Sequence, residues 1–246
     1  MDIFVINAST RMDEQSLAVA VRAVAHQLHY DVAPAWGAKP VALHHVKDAS
    51  LVPAGSYVIT VYDDADQADA LGYHTEDPDG TVHGKVFVSP VLDNGGTLLS
   101  GPVSVSAVLS HEVLETYIDP HVQLWAFDGQ DAMYAYEICD SVEDLAYPVF
   151  VPHPATRTTV SVSVSDFQLP AYFDAQAPAG SALDHLRVLR TPFEITKGGY
   201  AVKLTLGASS TVEQVFGEQV TEWKKETKRH ELSRLARRVK AVDADR

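Results

Sequence analysis

The sequence has few of the features that stabilise or localise a protein by special means. Only Cys139 among its 246 residues is a cysteine, so no internal disulfide can form. Its apolar runs are far shorter than the roughly 20 residues of a membrane helix, and residues 1–9 lack the basic start of a secretory signal. These absences predict a protein made in the cytoplasm, with no membrane partner and no signal peptide.

Basic residues are also scarce. The chain holds 19 Lys and Arg against 33 Asp and Glu, a formal net charge of −14. Such a surface repels phosphate groups, which argues against general nucleic-acid binding. Residues 217–246 reverse this balance and predict a basic helix. It either packs against the protein or binds an acidic surface, such as another copy of this chain.

The order of predicted elements indicates an α+β fold. Helices are predicted over residues 15–28 and 102–118 from their apolar periodicity. Residues 84–90 are predicted as a strand, and the terminal Pro90 suits the edge of a sheet. Strand patterns dominate after the second helix. We therefore expect a helix-and-sheet half over 1–150, a β-rich extension over 151–216 and a basic terminal helix over 217–246.

The most informative stretch is SHEVLETYIDP at residues 110–120. At about 100° per residue, its imidazole and carboxylates fall on one arc of a helix. Because residues four apart are neighbours on a helix, His111 and Glu115 can reach one cation, with Glu112 beside them. Asp119 is a weaker candidate, since the helix ends before Pro120.

A second acidic run, YEICDSVED, follows at residues 136–144. Either Glu137 or Asp140 can supply a third ligand. Another interpretation stays open, in which the motif is a solvated or hydrogen-bonded polar face of an amphipathic helix and binds no ligand. His74 is predicted to be a surface histidine, and Cys139 a small buried apolar residue.

The pattern His111-Glu112-x-x-Glu115 resembles the active helix of zincin metallopeptidases, with Glu115 in place of their second histidine. The elements over residues 1–145 follow a similar order. The resemblance implies that His111 and Glu115 bind a zinc ion, completed by Glu137 or Asp140. It also implies that Glu112 is the general base for the attacking water. A peptide substrate would pair with the edge strand at 84–90.

The acid at position 115 changes the expected metal chemistry. One histidine and two carboxylates neutralise a zinc ion, so a water beside it is less acidified and is a weaker nucleophile. Oxygen-rich ligation also admits harder cations such as Mn²⁺ or Ca²⁺. A structural metal site, or a lost one, therefore stays open beside a catalytic one.

The whole chain also resembles an uncharacterised group of proteins from bacterial and phage genomes. The resemblance rests on DDADQADALGYH, SHEVLE, YEICDSVED, VSDFQLPAYF and the GGY at 198–200. Two functions are therefore predicted. The first is a metal-dependent peptidase acting on a peptide or protein. The second is a phage or particle structural protein, whose partners are copies of itself or other particle proteins.

Overall fold

The computed structural model describes residues 2–66, 70–207 and 211–219. The model contains helices as well as several sheets, which confirms the predicted α+β class. The basic helix predicted over 217–246 lies almost entirely outside the described residues. Among the residues described, no helix combines the length and the apolar character needed to cross a membrane.

The N-terminal half of the chain contains a mixed sheet of five strands. The strands are β1 (Ile3–Asn7), β2 (Leu43–Val46), β3 (Tyr57–Tyr62), β4 (Gly72–Glu76) and β5 (Val82–Phe87). Their order is β2-β1-β3-β5-β4. All neighbours are parallel except β4, which pairs antiparallel with β5. The two edges of this sheet are therefore β2 and β4.

Two 14-residue helices lie between this sheet and a β-hairpin. The helices are α1 (Glu14–Gln27) and α4 (Val105–Ile118), and the hairpin strands are β8 (Ala146–Pro152) and β9 (Thr159–Ser165). Helix α1 contacts β1, β2 and both hairpin strands, whereas α4 contacts β3, β4, β5 and β9. The Asp13 side chain caps α1 by accepting the backbone N–H groups of Gln15 and Ser16. The short helices are α2 (Ala33–Ala35) and α3 (Val88–Asp93).

Aliphatic side chains from all three layers form one core. It includes Val5 and Ile59 of the sheet, Leu17 of α1, Leu109 of α4 and Val162 of the hairpin. Burying each such side chain stabilises the fold by roughly 1.5–3 kcal/mol. Helix α4 is thus held by apolar contacts on opposite sides.

A second sheet, of four antiparallel strands, lies in the C-terminal half. The strands are β6 (Trp125–Phe127), β7 (Ala132–Ala135), β10 (Tyr200–Thr205) and β11 (Thr211–Phe216), in the order β11-β10-β7-β6. A second core includes Ile138, Phe167 and Tyr172, together with Leu114 from α4. Helix α4 therefore contributes to both of these cores.

The structure corrects the predicted edge strand. Residues 84–90 do not form one, because β5 ends at Phe87 and lies between β3 and β4. Pro90 belongs to the first turns of helix α3, where its missing N–H has no helical partner to lose. The edge strand beside α4 is β4.

Strand β8 runs through residue 150, where the first predicted segment ends, and its Val149 and Val151 pack in the core of the N-terminal half.

Candidate metal centre

Helix α4 carries the predicted motif, and it is buried on both faces. Ser104 caps its start by accepting the backbone N–H of Ala107. His111 is 5% exposed, Glu112 2% and Glu115 0%. A solvated polar face is therefore ruled out, because β4 and β5 cover one side of the helix and β9 another. The hydrogen-bonded form of that alternative is not contradicted, because these buried side chains contact polar groups of the protein.

The His111 imidazole lies between two carboxylates. Its Nε2 is 3.1 Å from Glu115 Oε1 and 3.2 Å from Asp140 Oδ1. Two ligands of one zinc ion, each bonded at about 2.0–2.2 Å in tetrahedral geometry, lie ~3.3 Å apart. Within the described residues, neither His111 Nε2 nor Asp140 Oδ1 has a hydrogen-bond partner of suitable geometry. Buried polar atoms so arranged fit a shared cation, and in its absence they fit a protonated His111 held between the two carboxylates.

Cys139 also lies at this cluster. Its backbone N–H donates to Glu115 Oε1 at 3.2 Å, which orients that carboxylate toward His111. Its sulfur is within 4.8 Å of the ligand atoms of His111 and Glu115. Cys139 is buried, as predicted, and burial raises the pKa of its thiol well above the usual value. A cation that displaced the thiol proton would make Cys139 a ligand too, beside the predicted ligand Asp140, whose Oδ1 is 3.2 Å from His111 Nε2.

A second group meets the other side of Glu115. The ligand atoms of His74, Glu115 and Glu137 lie within 4.8 Å of one another, and all three residues are buried. His74 Nδ1 is 3.7 Å from Glu115 Oε2 and 3.7 Å from Glu112 Oε2. Its Nε2 donates to the backbone carbonyl of Asp119 at 3.1 Å. The expectation of a surface histidine at position 74 is therefore wrong.

Gly72 explains how His74 reaches the motif helix. A Cβ atom at Gly72 would lie 2.9 Å from both Glu112 Oε1 and Val108 Cγ1, so only glycine lets β4 approach α4 this closely. Residues two apart share a face of a strand, which turns His74 toward α4 as well. The spacing of Gly72 and His74 was thus the sequence signal available for placing His74 at the site.

Like charges crowd the centre. Burial and the neighbouring Glu115 carboxylate raise the pKa of Asp140 to about 7. Burial lowers the pKa of His111, but Glu115 and Asp140 outweigh it, and the pKa lies well above its usual value. Without a cation the cluster therefore retains protons, and a divalent cation would displace them.

A small cavity opens onto the motif. Its volume is about 30 Å³, and its lining includes His111, Glu112 and the apolar side chains of Leu71 and Val108. A water molecule needs about 10–15 Å³ of such space, so the cavity has room for roughly two. A substrate side chain would fit only if residues around the cavity moved.

The structure brings the predicted residues into two adjoining groups. In one, His111 lies beside Glu115, Asp140 and Cys139, and in the other Glu137 lies with His74 and Glu115. No protein-family model, curated protein or solved structure matches this chain. The chemistry of the site therefore follows only from the side chains that form it. Asp119, the weaker candidate, accepts the backbone N–H groups of Gln123 and Leu124.

Proposed function

We propose that this protein is a metal-dependent peptidase, with a divalent cation, zinc in the first instance, held by His111, Glu115 and Asp140. The observation that supports this is the position of His111 Nε2, 3.1 Å from one carboxylate oxygen and 3.2 Å from another in a buried site. A bound cation would supply Lewis acidity, which polarises a substrate carbonyl and makes a nearby water more acidic. Mn²⁺ and Ca²⁺ are the alternatives that oxygen ligands allow.

Glu112 is the proposed general base. Its carboxylate is one residue from His111 and lines the same cavity. Glu112 accepts a proton from the attacking water as the oxygen bonds to the peptide carbonyl carbon. It returns that proton to the amine when the C–N bond breaks. Because Glu112 is only 2% exposed, its carboxylate is shielded from bulk water.

The proposed substrate is an extended peptide. Strand β4 (Gly72–Glu76) is an edge of the five-stranded sheet and packs against α4. An added strand pairs its backbone with such an edge. Because four of the five residues of β4 are buried, a peptide would pair here only if the residues that cover β4 moved. This role replaces the one predicted for residues 84–90.

Glu112→Gln tests the assignment. The substitution preserves size but removes the base, so hydrolysis of a quenched fluorescent peptide library should fall by ~10²- to 10⁴-fold. Zinc content, measured by mass spectrometry of the metal, should stay unchanged. Glu14→Gln, at an exposed position at the start of α1, is the matched control. Undiminished hydrolysis by Glu112→Gln would contradict the proposal.

The small cavity supports a second candidate function. A cavity of about 30 Å³ leaves little room for a substrate, and a structural metal site, ligated fully by protein groups, needs none. In that case the protein is a component of a phage or other particle, and zinc binds tightly without hydrolysis. Oligomers that dissociate at high salt would favour this function, whereas peptide turnover sensitive to Glu112→Gln favours a peptidase, working in the cytoplasm or within a phage particle.

A further inference from the structure

Glu115 stands at the junction of two ligand groups. It is fully buried, and its two oxygens face different histidines. Oε1 lies 3.1 Å from His111 Nε2, whereas Oε2 lies 3.7 Å from His74 Nδ1. A carboxylate with a nitrogen ligand beside each oxygen has the arrangement of a bridge between two cations.

His74 directs Nδ1 toward this junction. The Asp119 carbonyl oxygen can only accept, so the hydrogen bond of 3.1 Å requires a ring proton on Nε2. Nδ1 faces the carboxylates of Glu112 and Glu115, with which it forms ion pairs when the ring is protonated and beside which it would bind a cation when the ring is neutral. A ring nitrogen fixed by a backbone carbonyl on its far side is typical of histidines that bind metals.

The centre has ligand groups for two divalent cations. Four carboxylates surround the two imidazoles, those of Glu112, Glu115, Glu137 and Asp140, and each residue is at most 3% exposed. Protons offset part of this negative charge when no cation is bound, and cations that displace those protons would take over that role.

We infer that the centre is binuclear, with Glu115 bridging two divalent cations. The first is the ion held by His111 and Asp140, so the inference rests on the proposed function for that ion. The second is held by His74 and Glu137. Metal pairs in hydrolytic centres lie about 3.5–4 Å apart, a span that one bridging carboxylate provides.

Zinc stoichiometry tests the second site. The full chain is freed of metal by chelator and titrated with Zn²⁺ against a competing chromophoric chelator, which suppresses weak binding to surface histidines. The wild type should bind two Zn²⁺ per chain. His74→Gln keeps a donor for the Asp119 carbonyl but removes Nδ1, so it should bind one, as should Glu137→Gln. The control His44→Gln, on the opposite sheet edge (β2), should still bind two.

Electron paramagnetic resonance with Mn²⁺ tests the bridge. Two Mn²⁺ ions joined by Glu115 should give an exchange-coupled spectrum, and His74→Gln should convert it to that of an isolated ion. Two uncoupled ions in the wild type would contradict the bridge.

The outcomes separate the two proposals. A wild type that saturates at one Zn²⁺, with His74→Gln and Glu137→Gln unchanged, overturns the second site and leaves the proposed function intact. A wild type that binds none overturns both. Circular dichroism shows whether each variant folds, and if His74→Gln does not fold, Glu137→Gln alone decides.

Discussion

Gly72→Ala perturbs the contact that places β4 against the motif helix. The added Cβ would lie 2.9 Å from three atoms: Glu112 Oε1, Val108 Cγ1 and the backbone oxygen of Lys85. The carboxylate can rotate away, but the Lys85 carbonyl belongs to the neighbouring strand β5 and cannot move without disturbing the sheet. Overpacking of this kind costs about 1–3 kcal/mol of stability.

Urea denaturation of the wild type and of Gly72→Ala measures this loss. Gly84→Ala is the matched control on β5, where the nearest atoms to an added Cβ are Ile59 Cγ1 at 3.1 Å and the Tyr73 oxygen at 3.2 Å. We expect the larger loss at Gly72, together with weaker zinc binding, because β4 also carries His74. If Gly72→Ala unfolds at the wild-type urea concentration, β4 does not approach α4 as described.

Two other substitutions probe the buried polar groups. Burial and the neighbouring Asp184 raise the pKa of Asp166 to about 8. Because this is above its unfolded value of about 3.9, its contribution to stability is fully present below pH 4 and is lost as pH rises to about 8, by at most ~1.4 kcal/mol per pH unit. Asp166→Asn should flatten the unfolding free energy measured between pH 5 and 8, and equal slopes would contradict this reasoning. The Ser110 hydroxyl donates to Gln27 Oε1 at 2.6 Å and accepts the Ser165 backbone N–H at 3.1 Å. Ser110→Ala should therefore lower the free energy of unfolding, measured by urea denaturation, by ~1–3 kcal/mol. A loss below about 0.5 kcal/mol would argue against this network.

Local patterns in the sequence predicted the helices well. The predicted helix over 102–118 is α4 at Val105–Ile118, and the one over 15–28 is α1 at Glu14–Gln27. Their periodicity is set by neighbouring residues, which a sequence shows directly. Strand order depends on contacts between distant segments, and this is why β5 was placed at an edge instead of β4.

The candidate site was predictable in part for the same reason. His111 and Glu115 are joined by helical spacing, so their proximity followed from the sequence. The sequence could not decide whether Glu137 or Asp140 is the ligand beside His111, because this depends on how the chain turns after Tyr136. A 3₁₀ segment begins at Asp140. His74 comes from a strand 37 positions before His111, and only the pairing of β4 with β5 and its packing on α4 bring it to the site.

Anomalous diffraction from a crystal of the full chain grown with zinc tests the central claim most directly. The account predicts a zinc peak within bonding distance of His111 Nε2, Glu115 Oε1 and Asp140 Oδ1. A zinc peak found only at surface histidines, with these three side chains unbound, would contradict it.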